Sequence, residues 1–372
     1  MSVPTGESRR PTTVASDATM SLGHVCLPMS RLHLGFTGDV MLGRLVDERQ
    51  RTESRPPEAV WGSMYDQLRA LDGLFVNLEC CLSTRGSPWA VTYHPFHFRA
   101  DPDWALPALT RVGVSWATLA NNHCLDFGAD ALADTFDALD TARIPFCGAG
   151  VDEADAWEPA VVDVDDLTVA LVAFTDNTPE FAATDESPGT AYFDIGHETD
   201  RSPVEAALDA ARAADPDLLV ASLHWGPNMV ERPPTSFQRF AHWLVDAGVD
   251  LVHGHSAHVF QGIELYRGVP ILYDTGDFVD DYAVDPALRN DRSFLFEMVV
   301  TTAGDVESVR LHPTEISNYA VHHAPDSVAE WSRDRMIELS AAFDTQFTRE
   351  GESLVLDLSP GERDGDGSGV VA

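Results

Sequence analysis

The sequence of 372 residues contains no lysine, so all 24 basic residues are arginine. This absence excludes a P-loop, whose lysine contacts nucleotide phosphates, and it excludes catalysis through a lysine Schiff base. Sixty Asp and Glu residues bring the formal net charge to -36. A surface this acidic repels nucleic acid and anionic membranes. Because high salt screens such self-repulsion, the composition predicts a halophilic protein from an archaeal source.

Cysteine and long apolar runs are also scarce. The five cysteines are odd in number and include no CxxC pair, which argues against a disulfide framework or a zinc ribbon. No apolar run approaches ~18 residues, so we predict no transmembrane segment. The residues after Arg9 and Arg10 lack the continuous apolar stretch of a signal peptide, and we therefore predict a cytoplasmic protein.

The chain divides by composition into a folded centre and polar ends. Hydrophobic residues make up 44% of the sequence, enough for a sizeable core. Helical and strand-like patterns alternate over residues 31–320, which indicates an α/β domain with mostly parallel strands. We predict a flexible arm over residues 1–30, a helical extension over 321–358 and a disordered tail over 359–372.

Oxygen and nitrogen donors follow several of the predicted strands. In chain order they are Asp39, Asn77, Glu79, Asn121, Asn122, His123, His224, His253, His255, His258, Asp274 and Asp277. Each one alone is typical of a turn or a helix cap. The carboxyl ends of parallel strands meet at one edge of a sheet, however, and these side chains are the donors that divalent transition metals prefer. The set therefore predicts a metal site, and its size favours two ions that share a carboxylate.

Five motifs in this order resemble the CapA family of poly-gamma-glutamate (capsule) biosynthesis proteins. They are GDVMLGR, NLE, ANNHCLDFG, HWGPN and GHSAHVFQGIELYRGVPILYDTGDF, within residues 31–320. That family is similar to the calcineurin-like metallophosphoesterases. The resemblance implies a four-layer α-β-β-α sandwich and a divalent metal (manganese, zinc or iron, as one ion or two). It also implies a small phosphorylated or polyanionic substrate and an association with capsule-synthesis proteins.

The resemblance also implies roles for single residues. The implied metal ligands are Asp39, Glu79, Asn122, His224, His255 and His258. Glu79 stands at the position of the bridging carboxylate, with Asn77 as its rival. His123 is expected to protonate the leaving oxygen after a metal-activated water attacks phosphorus. Arg44 and Arg232 are candidates for binding the anion, since guanidinium pairs with phosphate in a bidentate manner.

Several assignments stay open at this stage. Asp126, Asp274 and Asp277 either orient the ligating imidazoles or form turns. His253 is either a further ligand or a core residue. The aromatic stretch 89–98 is either a lid over the site or a packed loop.

Three functions also stay open. The first is a metal-dependent phosphoesterase-type hydrolase. The second is a metal-binding accessory protein of capsule polymer synthesis that catalyses nothing itself. The third is an acidic structural protein with vestigial ligands.

Overall fold

The computed structural model describes residue 1, residues 30–197 and residues 200–358. The predicted N-terminal arm and C-terminal tail lie almost wholly outside the described residues. The strands are, in chain order, β1 Arg31–Val40, β2 Gly73–Leu78, β3 Cys81–Leu82, β4 Arg99–Ala100, β5 Val114–Thr118, β6 Phe146–Cys147, β7 Ala149–Gly150, β8 Ala160–Val164, β9 Leu167–Thr175, β10 Gly189–Thr190, β11 Leu218–His224, β12 Leu251–His255, β13 Ile263–Tyr266, β14 Val269–Leu272, β15 Asp277–Val279, β16 Arg292–Thr301, β17 Val306–Ser317, β18 Ala320–His323, β19 Thr348–Glu350 and β20 Ser353–Asp357.

Eight α-helices and three 3-10 helices accompany these strands in the described part of the chain. The α-helices are α1 Arg44–Thr52, α2 Tyr65–Arg69, α3 Pro102–Val112, α4 Ala129–Ala142, α5 Glu153–Ala156, α6 Ser202–Arg212, α7 Thr235–Asp246 and α8 Asp326–Ser340. The 3-10 helices are Pro57–Met64, Pro179–Phe181 and Ala341–Phe343.

Two large sheets organise the chain. The larger has the order β19-β20-β17-β16-β1-β2-β5-β6, with β15 paired to β1 and β18 to β17, and the smaller has the order β13-β14-β12-β11-β9-β8. Strands joined through helices, such as β1, β2 and β5 or β9, β11 and β12, pair in parallel, as predicted. The prediction of mostly parallel strands is wrong for the C-terminal part, where β17 pairs antiparallel with β16, β18 and β20.

The two sheets pack face to face, with helices on both outer surfaces. Between the sheets lie Phe36, Phe75 and Trp116 of the larger sheet and Val169 and Val220 of the smaller, all buried. The outer face of the larger sheet buries apolar residues of α1, α3 and α4, and the outer face of the smaller sheet those of α6 and α7. This is the predicted four-layer α-β-β-α sandwich, which is thereby confirmed.

The C-terminal segment is part of this domain. Residues 321–358 contain α8, but β20 pairs with β17, and Leu354 and Leu356 enter the core between the sheets. The predicted helical extension is therefore wrong as a description of the whole segment. The short apolar run Ser353–Asp357 follows a turn at Gly351, and pairing between β19 and β17 makes it a buried strand.

The acidic surface leads to a prediction about salt. We expect the melting temperature to rise steeply as potassium chloride increases from about 0.1 M to about 2 M. The Debye length falls from about 10 Å to about 3 Å or less over this range. The added salt therefore screens the repulsion within a protein of net charge -36. Circular dichroism melts measure it. Sucrose serves as the control, since it strengthens burial without screening charge. A melting temperature that is flat in salt would contradict the prediction.

Candidate metal centre

The donor side chains gather where parallel strands of both sheets end. Asp39 lies near the carboxyl end of β1, in register with Asn77 of β2 and Asp277 of β15. His224 and His255 are the last residues of β11 and β12 and pair with each other in register. One sheet therefore supplies carboxylates and the other supplies imidazoles to the same point, as the strand-end pattern predicts.

Two glycines allow the strands to approach this point. A Cβ at Gly38 would lie 1.7 Å from the carbonyl oxygen of Gly276, and a Cβ at Gly254 would lie 2.0 Å from that of Tyr273. Both distances are far below van der Waals contact. The glycines next to Asp39 and His255 therefore bring the backbone close enough for these side chains to meet.

Two groups of donors share the carboxylate of Asp39. In the first, Asp39 Oδ1 lies 3.8 Å from His224 Nδ1 and 3.6 Å from His255 Nδ1. In the second, Asp39 Oδ2 lies 3.6 Å from His258 Nδ1, and Glu79 completes the group. The donor atoms of each group lie within 4.8 Å of one another. In the structure the carboxylate common to both groups is thus Asp39, whereas the family pattern places the bridging carboxylate at Glu79.

Several buried oxygens here accept no hydrogen bond from the described residues. They are Asp39 Oδ2, Glu79 Oε1 and Asp277 Oδ2. Burial raises the pKa of Asp39 to about 6 and raises the pKa values of Glu79 and Asp277 well above their usual range. A cation beside these carboxylates would favour their ionised form and would occupy the oxygens that lack a donor.

The imidazoles of this cluster are in the form that binds metal. Burial lowers the pKa values of His224 and His255 well below their usual range, so both rings are neutral. Neutral imidazoles beside buried carboxylates suit a divalent cation. The residues present therefore fit the metal that the sequence predicts.

Two asparagines occupy different places around the cluster. The side-chain oxygen of Asn122 lies 2.7 Å from His224 Nε2 at the open side of the cluster. Asn77 instead donates from Nδ2 to Asp39 Oδ1 at 2.7 Å, and its own oxygen accepts from Asn121 at 3.0 Å. Asn77 therefore orients Asp39 and does not present an oxygen to the cluster.

His123 lies on the other side of Glu79. Its Nδ1 is 2.7 Å from Asp126 Oδ2, its Nε2 is 3.9 Å from Glu79 Oε1, and its ring stacks on Phe98 at 3.8 Å between centroids. Burial lowers the pKa of His123. Asp126 also contacts His94 Nε2 at 2.7 Å, so this residue of the turn 122–127 uses its carboxylate to orient two imidazoles. The sequence reasoning did not single out His94, because it lies in an irregular loop that no strand end marks.

The structure also decides between the alternatives for Asp277, Asp274 and His253. Asp277 Oδ1 lies 2.9 Å from His258 Nδ1, the same nitrogen that faces Asp39, so Asp277 lies at the second donor group, whereas Asp274 accepts from two backbone N–H groups and forms a turn. His253 lies 2.8 Å from the carbonyl oxygen of Thr37 and 3.2 Å from Ser222 Oγ. Burial lowers the pKa of His253 to about 4, so it is a neutral core residue.

A cavity of about 600 Å³ opens onto the cluster. Arg44, His123, His258 and Asn122 are among its lining residues. Pro95, Phe96 and Phe98 form part of its wall, so the stretch 89–98 borders the site instead of merely filling space.

The two candidate anion-binding arginines lie in different places. The guanidinium of Arg44 lies 5.6 Å from the ring of Phe98 and 6.0 Å from that of Tyr282, beside the cluster. Arg232 lines a separate cavity with Glu231 and Glu264, which agrees with the alternative, favoured from the sequence, that it is a loop cation and not an anion-binding residue. Tyr282 was not predicted, yet its hydroxyl donates to Glu79 Oε2 at 3.2 Å.

Comparison with known proteins settles the family. The family model described as bacterial capsule synthesis protein PGA_cap matches residues 33–282. The chain belongs to this family. A probable polyglutamine synthesis accessory protein of Mycobacterium tuberculosis is 32% identical over 358 residues, which cover 86% of this chain and 93% of that protein. The PGA biosynthesis protein CapA of Bacillus subtilis is 28% identical over 259 residues, which cover 67% of this chain and 63% of the relative.

A solved structure of similar shape is a putative 5′-nucleotidase from Staphylococcus aureus. It is 14% identical, has a TM-score of 0.48, and the match covers 82% of this chain and 58% of that one. The CapA resemblance predicted from the motifs is confirmed by the PGA_cap match and the curated relatives.

The comparisons also bear on the predicted archaeal source and the predicted adaptation to salt. The curated PGA_cap relatives named above come from bacteria, so the comparisons do not support an archaeal source. Adaptation to salt stays a prediction. Among the residues that the structure describes, no helix has the length and apolar character needed to cross a membrane.

Proposed function

We propose that this PGA_cap protein is a metal-dependent hydrolase of the phosphoesterase type that acts in poly-gamma-glutamate (capsule) biosynthesis. One observation carries the proposal. Asp39 is shared by two carboxylate–imidazole groups at the base of a cavity that also presents His123 and Arg44. This is the arrangement that phosphoryl chemistry at two metals requires.

The metal would be held by the donors that the sequence named. These are Asp39, Glu79, Asn122, His224, His255 and His258. When bound, manganese, zinc or iron supplies Lewis-acid chemistry and makes water a usable nucleophile near neutral pH. Asn77 holds Asp39 in place for this role, and Asp277 lies beside His258 at the second donor group.

The other residues bind the substrate and move a proton. Asp126 accepts the Nδ1 proton of His123, so Nε2 is the atom that exchanges a proton with the leaving oxygen. Stacking on Phe98 fixes the plane of the ring. Arg44 supplies a guanidinium at the cavity wall for an anionic group of a small phosphorylated or polyanionic substrate.

Metal content tests the first part of this proposal. After removal of metal and reconstitution with manganese, zinc or iron, we expect one to two ions per chain by elemental analysis, because two donor groups share Asp39. His242→Gln is the control, since this histidine pairs with Glu264 outside the cluster. Well below one ion per wild-type chain would contradict the prediction.

Turnover tests the second part. We expect the metal-loaded protein to hydrolyse a p-nitrophenyl phosphate mono- or diester in high salt, and chelation to stop it. A second candidate function is a non-catalytic accessory protein, which the name of the Mycobacterium tuberculosis relative favours. Bound metal without turnover of either ester would favour this alternative, and pull-down with capsule-synthesis proteins would then test for the partners. We retain a cytoplasmic location as part of either proposal, and cell fractionation tests it.

A further inference from the structure

A second cavity adjoins the cavity of the metal centre and shares one residue with it. It measures about 350 Å³, and Arg44 lines both cavities. The other charged lining residues of this second cavity are Asp47, Arg51, Arg99 and Asp101. A ligand in either cavity can therefore contact the side chain of Arg44.

The charge of the second lining differs from that of the other cavities. The second cavity has three arginines and two aspartates in its lining, whereas the first has one arginine and opens onto the carboxylates of the metal cluster. Three other cavities have more carboxylates than arginines in their linings. On a chain of net charge -36, the lining of the second cavity marks where an anion is attracted.

The aspartates of the second cavity are occupied by internal donors. Asp47 Oδ1 accepts from the backbone N–H of Asp101 and from Trp104 Nε1, and its Oδ2 accepts from Arg51. Asp101 caps α3 by accepting from the N–H of Asp103 at 3.0 Å. The same contacts engage Arg51, and Arg44 Nε lies 3.3 Å from Asp281, so Arg99 is the arginine of this lining that has no carboxylate partner among the described residues.

Arg99 keeps most of its hydrogen-bonding capacity. Its guanidinium lies 4.1 Å from the ring centre of Phe127, and one nitrogen donates to the carbonyl oxygen of Arg85 at 2.6 Å. Among the described residues no carboxylate lies within ion-pair distance of it. The stacking holds the group in place while the remaining N–H donors are left for a ligand.

The backbone fixes Arg99 next to Arg44. A Cβ at Gly43 would lie 2.7 Å from the backbone nitrogen of Arg99. The strand β4, which begins at Arg99, therefore packs directly against the residue that precedes Arg44. The spacing of the two guanidinium-bearing segments is set by a backbone contact and not by flexible side chains alone.

We propose that the second cavity is an anion subsite, in which Arg99 and Arg44 hold a neighbouring carboxylate or phosphate of an extended polyanion whose reacting group lies at the metal centre. This inference rests on the proposed function for the position of the reacting group. It names the substrate class: a chain with repeated acidic groups and not a small molecule with a single one. Both a carboxylate polymer and a polyphosphate offer this chemistry.

Equilibrium binding to the metal-loaded full chain tests the subsite. The probes are a γ-linked glutamate dimer and hexamer, and tripolyphosphate and a longer linear polyphosphate, titrated at one ionic strength by calorimetry. We expect the longer member of at least one series to bind more tightly than the shorter. Arg99→Gln should weaken binding of that longer member about tenfold, as the loss of one charge-assisted hydrogen bond does, and leave the shorter member unchanged. The series that shows this effect identifies the chemical source of the anion.

Two further variants make the result specific. Arg69→Gln is the matched control, because Arg69 also lies over an aromatic ring, that of Tyr65, but lines neither cavity. Arg99→Lys should restore part of the affinity, and melting curves should match the wild type. Equal losses in Arg69→Gln and Arg99→Gln, or no dependence on length in either series, would overturn the subsite.

The outcome is separable from that of the proposed function because binding is measured without turnover. A protein that binds the longer anion through Arg99 but hydrolyses no ester would refute the hydrolase and leave the subsite standing. A protein that hydrolyses esters but shows no effect of Arg99→Gln would support the hydrolase and refute the subsite.

Discussion

Asp39→Asn is expected to abolish metal binding at both donor groups and to reduce turnover below detection. Asp39 contributes one oxygen to the group with His224 and His255 and the other to the group with Glu79 and His258. An amide keeps the shape of the side chain but removes the charge that a divalent ion requires. Elemental analysis and ester hydrolysis measure the two losses.

The same substitution should stabilise the metal-free protein. The folded pKa of Asp39 is raised to about 6 by burial, above the unfolded value of about 3.9, so its ionisation opposes folding. This cost appears as pH rises above about 4 and is complete above about 6, where it is on the order of 2–3 kcal/mol. Metal-free Asp39→Asn should therefore melt above the metal-free wild type at pH 7, with a smaller difference near pH 4.

A matched control is Asp250→Asn, at the opposite end of β12 from His255. Asp250 precedes β12 and accepts from the N–H of Leu219, and burial raises its pKa as well. Asp250→Asn should keep the metal and the activity. If Asp39→Asn retained a full complement of metal, Asp39 would not be a ligand and the two-group arrangement would be wrong.

His123→Ala is expected to keep the metal and to lose roughly 10²–10⁴-fold in rate, the usual contribution of general acid–base catalysis. His123 Nε2 lies 3.9 Å from Glu79, but the ring belongs to neither of the donor groups that contain Asp39. Its other nitrogen is engaged by Asp126, so proton transfer at Nε2 is its available role.

The leaving group of the substrate separates this role from a structural one. An ester of an alkyl alcohol needs protonation of its leaving oxygen, whereas p-nitrophenolate leaves without it, so His123→Ala should slow the alkyl ester far more. His94→Ala is the control, because His94 contacts the same Asp126 but lies farther along the cavity wall. Loss of metal in His123→Ala would make His123 a ligand, and equal slowing of both esters would contradict the acid role.

Much of the site was predictable because its residues follow strands. The order strand, donor, helix places Asp39, His224 and His255 at the carboxyl ends of parallel strands, and parallel pairing then brings those ends together. His253 was also interpretable, since a residue two positions before His255 on a strand lies on the same face and can enter the core. These inferences need only local periodicity and one rule of sheet topology.

Other features depend on contacts between distant segments. Asp39 and Asp277 lie in register although 237 intervening residues separate them. The aromatic neighbours of Arg44 likewise come from the distant loop 89–98 and from Tyr282. No periodicity encodes which of two arginines lines the cavity of the metal centre. Arg44, at the start of α1, lines this cavity, whereas Arg232 lines another.

The amino-acid sequence by itself determined the family and the α/β sandwich and predicted most of the donors that the structure brings together, because these follow from motif order, strand–helix alternation and residue chemistry. Only the tertiary structure decided that Asp39 joins two donor groups, that Asn77 orients it, and that β20 completes the larger sheet. The physical reason is the same in each case. Distances of a few ångströms between residues far apart in the chain depend on how the two sheets pack and register. That packing depends on all the core contacts together, so no single segment of the sequence specifies it.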